Sequence, residues 1–194
     1  VLFRSPSPYL MGYLDEFIID PRLNPLVESN RGCPFQCTFC ADGISAQNKI
    51  YKTDPKRFEA ELIYIAERYK GKYLLIADDN FGMYPEDVEI SKIIARCQEK
   101  YDFPHHLQVC AGKNNQPRII ECSDILEGTL RLGASIQSMD DEVLANVKRS
   151  NISYQKLLDV SMRVSDTEAS SYSEVILALP GDSKEKHYST IDKV

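Results

Sequence analysis

Arg31-Gly32-Cys33-Pro34-Phe35-Gln36-Cys37-Thr38-Phe39-Cys40 is the stretch on which the reading of this chain turns. It carries three thiols at spacing Cys-x3-Cys-x2-Cys. Soft thiolates this close together select zinc, copper or an iron–sulfur cluster. Three ligands, rather than four, leave one coordination site without a protein ligand. In an iron–sulfur cluster such an open iron can bind a substrate or cofactor. Gly32 and Pro34 keep the segment out of regular helix and let the backbone wrap around a cluster.

Other readings of the cysteines have to be weighed. The chain has six Cys, an even number that admits a disulfide framework. A chain of 194 residues buries a real core without covalent staples. Three Cys bunched in one loop are also poorly placed to pair with scattered ones. A structural zinc site is the stronger alternative, but it normally takes four ligands in paired Cys/His spacing. No second pair follows, and His105 and His106 are adjacent, unlike ligand pairs on one face of a helix. Cys97, Cys110 and Cys122 lie in apolar-periodic segments and read as core, because buried free Cys behaves as a small hydrophobe.

Length fits one domain, and a hydrophobic content of 43% with 27% charged residues is ordinary for a soluble globular protein. There is no apolar run long enough to span a membrane. A net charge of −6 and a pI near 5.2 argue against a broad nucleic-acid-binding surface. Reduced, clustered thiols suit the cytoplasm. Residue 1 is Val, and Ser183 to Val194 reads as a helix with no closing element after it. The expectation is a piece of a longer protein, so the lack of a targeting sequence carries no weight.

Residues 1–25 hold Pro6, Pro8, Pro21 and Pro25 and have the rhythm of a linker or N-terminal arm, with a short helix at Gly12–Ile19. The core domain then covers residues 26–194. Leu26–Ser29 reads as a strand leading into the Cys loop. Asp54-Pro55 supplies an N-cap and a first-turn proline for a helix running to Gly71. Strand signals follow at Lys72–Ala77, Leu107–Cys110, Ala134–Ser138 and Tyr172–Leu179. Helix signals fall at Pro85–Lys100, Pro117–Leu132, Asp140–Lys148 and Ser153–Val164. This alternation predicts an α/β fold of parallel βα units with right-handed crossovers, either a doubly wound sheet or a partial barrel. In both, chemistry belongs at the carboxyl ends of the strands.

Unusual polar residues occur at those ends. Asp78-Asp79-Asn80 directly follows an apolar strand, and carboxylates there are costly unless something cationic or water meets them. Ser135 and Gln137 share one face of an otherwise buried-type strand, with Ser138 at its end. Glu174 sits inside an apolar strand, so it is paired, faces a cavity or lies at an exposed edge. Leu179-Pro180-Gly181-Asp182 makes a tight turn with Asp182 as N-cap of the last helix. Asp140-Asp141-Glu142 suits a helix start, and Arg149 reads as an exposed helix-end base. Tyr51, His105 and His106 are acid–base candidates without supporting geometry, and no catalytic residue is assigned.

The Cys spacing, with aromatic Phe39 just before Cys40, resembles the motif of the radical S-adenosylmethionine (radical SAM) superfamily. That resemblance implies that Cys33, Cys37 and Cys40 hold a [4Fe-4S] cluster whose fourth iron is chelated by the amine and carboxylate of S-adenosylmethionine. It also places Phe39 near the cofactor and gives the amine to one of Asp78, Asp79 or Asn80, where the family carries a Gly-Gly-Glu-like motif. Ser135 and Gln137 would reach the ribose or methionine, and Glu174 would face the lumen and bind cofactor or substrate. The fold implied is the family's partial (β/α)6 barrel, incomplete, with about five βα units. Ser7-Pro8-Tyr9-Leu10-Met11-Gly12 and Asp78-Asp79-Asn80-Phe81 resemble the subgroup that carries a cobalamin-binding domain. Lys148-Arg149-Ser150-Asn151 resembles a stretch of relatives in which Arg149 could meet a carboxylate.

The activity implied is reductive cleavage of S-adenosylmethionine to a 5′-deoxyadenosyl radical that takes hydrogen from a small-molecule substrate. An attached cobalamin domain would point to methyl transfer or rearrangement. A reducing partner such as flavodoxin or ferredoxin is expected. Two rivals differ in class: a non-catalytic iron–sulfur or zinc module, and a methylthiotransferase-type modifier of nucleic acid that would need an appended basic domain.

Overall fold

Five strands pair side by side in a single direction, in the order in which the chain reaches them. The computed structural model describes residues 5–112, 115–127, 129–151 and 171–194. Along these run α1 (Asp15–Ile18), β1 (Leu26–Val27), β2 (Asn30–Arg31), β3 (Tyr51–Lys52), α2 (Pro55–Ala66), β4 (Tyr73–Ile76) and α3 (Pro85–Tyr101). Next come β5 (His106–Cys110), α4 (Gln116–Ile125), β6 (Leu130–Gln137), α5 (Asp141–Asn146), β7 (Ser171–Val175) and α6 (Lys184–Ile191).

The sheet order is β1-β4-β5-β6-β7, all parallel, with β2 and β3 forming a separate antiparallel pair. A doubly wound sheet reverses its strand order at a switch point, and this one does not. Helix α2 packs on α3 and α3 on α4, so the helices follow one another along the same face. This is an incomplete parallel barrel of βα units, as the resemblance implies.

The two faces of the sheet differ. In β5, Leu107 and Val109 are buried while His106, Gln108 and Cys110 are exposed. Side chains alternate along a strand, so the first pair meets the helices and the second set lines the open inner surface. Leu74 and Ile76 of β4 join the buried side. From the helices, Phe58, Leu62 and Ile65 of α2 and Ile90, Ile93, Ile94 and Cys97 of α3 complete one core. Each such apolar side chain contributes about 1.5–3 kcal/mol on burial. The Asp54 carboxylate starts α2 by accepting from Lys56 N at 3.1 Å, with Pro55 behind it.

Several sequence expectations are corrected. Helix α4 ends at Ile125 and does not run on to Leu132; residues 130–132 belong to β6, drawn into the ladder by Leu107 and Val109 of β5. Strand β7 stops at Val175, before Ile176–Leu179. Ser183, rather than Asp182, caps α6, its hydroxyl accepting from Lys186 N at 3.2 Å. Cys110 is exposed while Cys97 and Cys122 are buried, because Cys110 falls on the inner face of β5. The helix expected at Ser153–Val164 lies outside the described residues. The arm is docked: Tyr9 and Ile18 are buried in the main core. The Tyr9 hydroxyl donates to Leu26 O at 2.8 Å and accepts from Leu26 N at 3.1 Å. Among the described residues no helix is long and apolar enough to cross a membrane.

Candidate functional site at the carboxyl ends of the strands

The thiol loop leaves the sheet at the carboxyl end of β1 and is pinched at its base by β2 and β3. Their register pairs Asn30 with Lys52 and Arg31 with Tyr51. Gly32 makes the entry to the loop possible. Its φ is +102°, and a Cβ there would lie 2.5 Å from Lys49 O and 2.8 Å from Gln47 O. The next residue, Cys33, donates its N–H to Gln47 O at 3.0 Å, and Thr38 N reaches Val147 O at the end of α5 at 3.1 Å. The first of these bonds closes the loop on itself, and the second ties it to the barrel at the end of α5.

Cys33 and Cys37 are buried and Cys40 is exposed. Asn80, buried at the end of β4, donates Nδ2 to the Cys33 sulfur at 3.3 Å. Arg149, just past α5, donates to Cys37. It is only 7% exposed, so the exposed helix-end base expected from sequence is in fact a buried cation. Burial pulls its guanidinium below its ordinary value, while the charges of Cys37, Cys40 and Cys33 hold it up. Sequence reasoning underrated Arg149. The signal was there in Lys148-Arg149-Ser150-Asn151, where Asn151 is what turns the arginine inward: it accepts from Arg149 Nε at 2.8 Å.

The acidic turn after β4 divides its tasks. Asp78 is buried and binds the start of the thiol loop. Its carboxylate accepts from Ser29 N at 2.8 Å, Asn30 N at 3.1 Å, Asn30 Nδ2 at 2.7 Å and the Ser29 hydroxyl. Burial nevertheless outweighs these donors and raises its pKa to about 7, helped by the neighbouring charge of Asp87. Asp79 is half-buried, and its charge is felt by the Tyr84 phenol and the Cys110 thiol. Asn80 holds a buried Oδ1 with no hydrogen-bond partner among the described residues. The turn is fastened to β5 by Phe81 N to Cys110 O at 2.9 Å and Gly112 N to Phe81 O at 2.8 Å.

Across the rim, Ser135 donates its hydroxyl to Glu174 at 2.6 Å, so the glutamate is paired on an exposed surface. A bulge separates Ser135 from Gln137, which adopts a φ of 68° and buries an Oε1 with no partner among the described residues. A non-glycine residue held in that region is strained, and such strain gathers at functional sites. Phe39 is half-buried against Val143, Val147 and Leu179, with the Arg149 guanidinium 5.9 Å from its ring.

The acid–base candidates lie elsewhere. His106 begins β5 and stacks on Tyr73 with ring centroids 4.6 Å apart, while His105 meets Asp102 and Lys72. Both therefore sit at the amino-terminal end of the sheet. Tyr51 is exposed on β3.

Among the described residues no group of three or more His, Cys, Asp or Glu side chains is assembled to hold a metal ion. An iron–sulfur cluster asks for something different, since each thiolate caps a separate iron. The donor chemistry fits such a group. Two buried thiols each receive an N–H donor, a buried cation offsets thiolate charge, and unpartnered amide oxygens of Asn80, just past β4, and Gln137, at the end of β6, lie on either side of β5 in the sheet order.

The fold and this site define a class, and the comparisons agree: the model of the radical SAM superfamily matches residues 27–194. The chain belongs to that superfamily. It is 33% identical over 191 residues to the 2-(S-pantetheinyl)-carbapenam-3-carboxylate methyltransferase of Streptantibioticus cattleyicolor, covering 93% of this chain and 28% of that protein. It is likewise 33% identical over 190 residues to the cobalamin-dependent radical SAM methyltransferase TokK of Streptomyces tokunonensis, covering 92% and 27%. Among solved structures, the radical S-adenosylmethionine methyltransferase TsrM from Kitasatospora setae, with tryptophan and a SAM analogue bound, superposes with a TM-score of 0.74 at 14% identity. That match covers 94% of this chain and 34% of TsrM, and at such identity it speaks for the fold alone. The chain spans under a third of the length of the curated relatives it matches.

Proposed function

We propose that this chain is the radical SAM core of a cobalamin-dependent enzyme that transfers a methyl group to a small molecule. The observation that carries the reading is the thiol loop seated at the carboxyl ends of a parallel barrel, with N–H donors on Cys33 and Cys37. The two relatives, both methyltransferases by name, support the direction of the chemistry. A cluster held by these thiols would supply the single electron that reductive cleavage of S-adenosylmethionine requires.

This chain's residues bind and orient. Cys33, Cys37 and Cys40 would hold the [4Fe-4S] cluster, with Phe39 beside the cofactor. Asp78 fixes the loop through Ser29 and Asn30. Asp79 and Asn80 offer a carboxylate and an amide oxygen to the amine of S-adenosylmethionine. Ser135 and Gln137 offer oxygens to its ribose or methionine, and Glu174 serves cofactor or substrate on the same open surface. Cobalamin would be supplied by another part of the full-length protein. Electrons would come from a protein of the flavodoxin or ferredoxin class in the cytoplasm.

The test is electron paramagnetic resonance of the full-length protein, reconstituted anaerobically with iron and sulfide and then reduced. A four-iron signal that shifts on adding S-adenosylmethionine is expected, and Cys33→Ala, Cys37→Ala or Cys40→Ala should each abolish it. A cluster signal indifferent to S-adenosylmethionine, or zinc in place of iron, would overturn the proposal.

A further inference from the structure

We propose that Arg149 is a positioning residue that sets the reduction potential of the cluster held by the thiol loop; this rests on the radical SAM reading above. Several observations converge on it. The guanidinium is buried, it donates to Cys37, and the charges acting on it are those of Cys37, Cys40 and Cys33. Its far side is held by strand β6: Nη2 donates to Ser135 O and Nε to Asn151 Oδ1. Asn151 is itself braced, with Nδ2 donating to Ile136 O and Ser138 O, both at 2.7 Å. The backbone repeats the link, since Arg149 N reaches Leu144 O at 2.9 Å in the same turn whose Val147 O takes Thr38 N.

A planar guanidinium has two usable edges in fixed geometry. Here one edge is anchored to β6 and the other is aimed at the thiols, so the charge cannot swing out to water. Reduction adds negative charge to an iron–sulfur cluster, and its potential follows net charge, hydrogen bonds to sulfur and solvent exposure. A buried cation that donates to a ligating sulfur favours the reduced state more than the oxidised one. The same side chain joins the cluster loop to the strand that carries Ser135 and Gln137, so the loop and the cofactor-facing strand keep a fixed spacing.

The experiment is a redox titration, followed by electron paramagnetic resonance, of full-length protein reconstituted without oxygen. Wild type is compared with Arg149→Gln, Arg149→Lys and Asn151→Ala, with iron and sulfide quantified in each. Arg149→Gln should keep a complete cluster and shift the midpoint downward. Asn151→Ala, which frees the guanidinium without removing it, should give a smaller shift of the same sign, and Arg149→Lys should fall between wild type and the glutamine variant. Complete clusters at the wild-type midpoint in Arg149→Gln would overturn the proposal. If that variant assembles no cluster, the other two decide: unshifted midpoints in both overturn it. A wild-type protein that takes up no four-iron cluster would remove the radical SAM reading as well. A responsive wild-type cluster with unshifted variants rejects the role of Arg149 alone.

Discussion

Replacing Asp78 by asparagine should flatten the dependence of stability on pH. The carboxyl group is buried, and its pKa rises from 3.8 to about 7 on folding. Between those values the folded chain holds a proton that the unfolded chain has released, so stability falls as pH rises. The stabilisation is fully present below the unfolded value and is gone once pH passes about 7. At roughly 1.36 kcal/mol per decade of proton affinity the whole span is worth about 4 kcal/mol, of which about 2.5 kcal/mol falls between pH 5 and 8. The amide of the Asp78→Asn variant has no such proton. It can keep the acceptor facing Ser29 N and Asn30 N, and the Asn30 amide can turn to receive its new N–H. Urea unfolding of both proteins at several pH values isolates the contribution, because every other titrating group is common to the pair. The stability gap should move against wild type by about 2.5 kcal/mol from pH 5 to pH 8. Parallel curves would mean that the donors from Ser29 and Asn30 outweigh burial, and the account of this carboxylate would be wrong.

Two further outcomes test the scaffold. Gly32→Ala would force a Cβ against Lys49 O and Gln47 O and strain the backbone by about 1–3 kcal/mol; bound iron after reconstitution should drop several-fold while far-UV circular dichroism is unchanged. Phe58→Ala empties a position that is 0% exposed and should cost about 3–5 kcal/mol, read as a lower urea midpoint.

Much of the fold was legible because βα units write two periods into the chain. Leu107 and Val109 alternate with polar neighbours, Phe58, Leu62 and Ile65 follow helical spacing, and both appear where the pattern puts them. What one sequence could not settle was where a helix ends when the next strand is equally apolar. Leu130 and Leu132 continue the helical rhythm of α4, and only pairing with β5 assigns them to β6. The same limit applies to exposure. Cys110 looks like core until one knows which side of β5 the helices cover. Arg149 looks like a helix-end base until Asn151 and the Ser135 carbonyl are seen to hold it inward. The Cys triplet and the polar strand ends were visible as residue types, whereas the division between Asp78, which grips Ser29 and Asn30, and Asp79 and Asn80 is a matter of direction that spacing does not encode.

The loop of residues 32–50 hangs from two rungs, Asn30 with Lys52 and Arg31 with Tyr51, a tie from Thr38 to Val147, and the side-chain contacts of Asn80 with Cys33 and Arg149 with Cys37. None of these rungs belongs to the five-stranded sheet. Opening the loop therefore breaks a few local hydrogen bonds and leaves the helix-covered core intact, the kind of partial opening that folded proteins undergo well below their global unfolding free energy. If the three thiols hold the proposed cluster, its loading can take place on a finished barrel. A molecule stripped of its iron by oxygen would remain a folded socket, ready to be refilled.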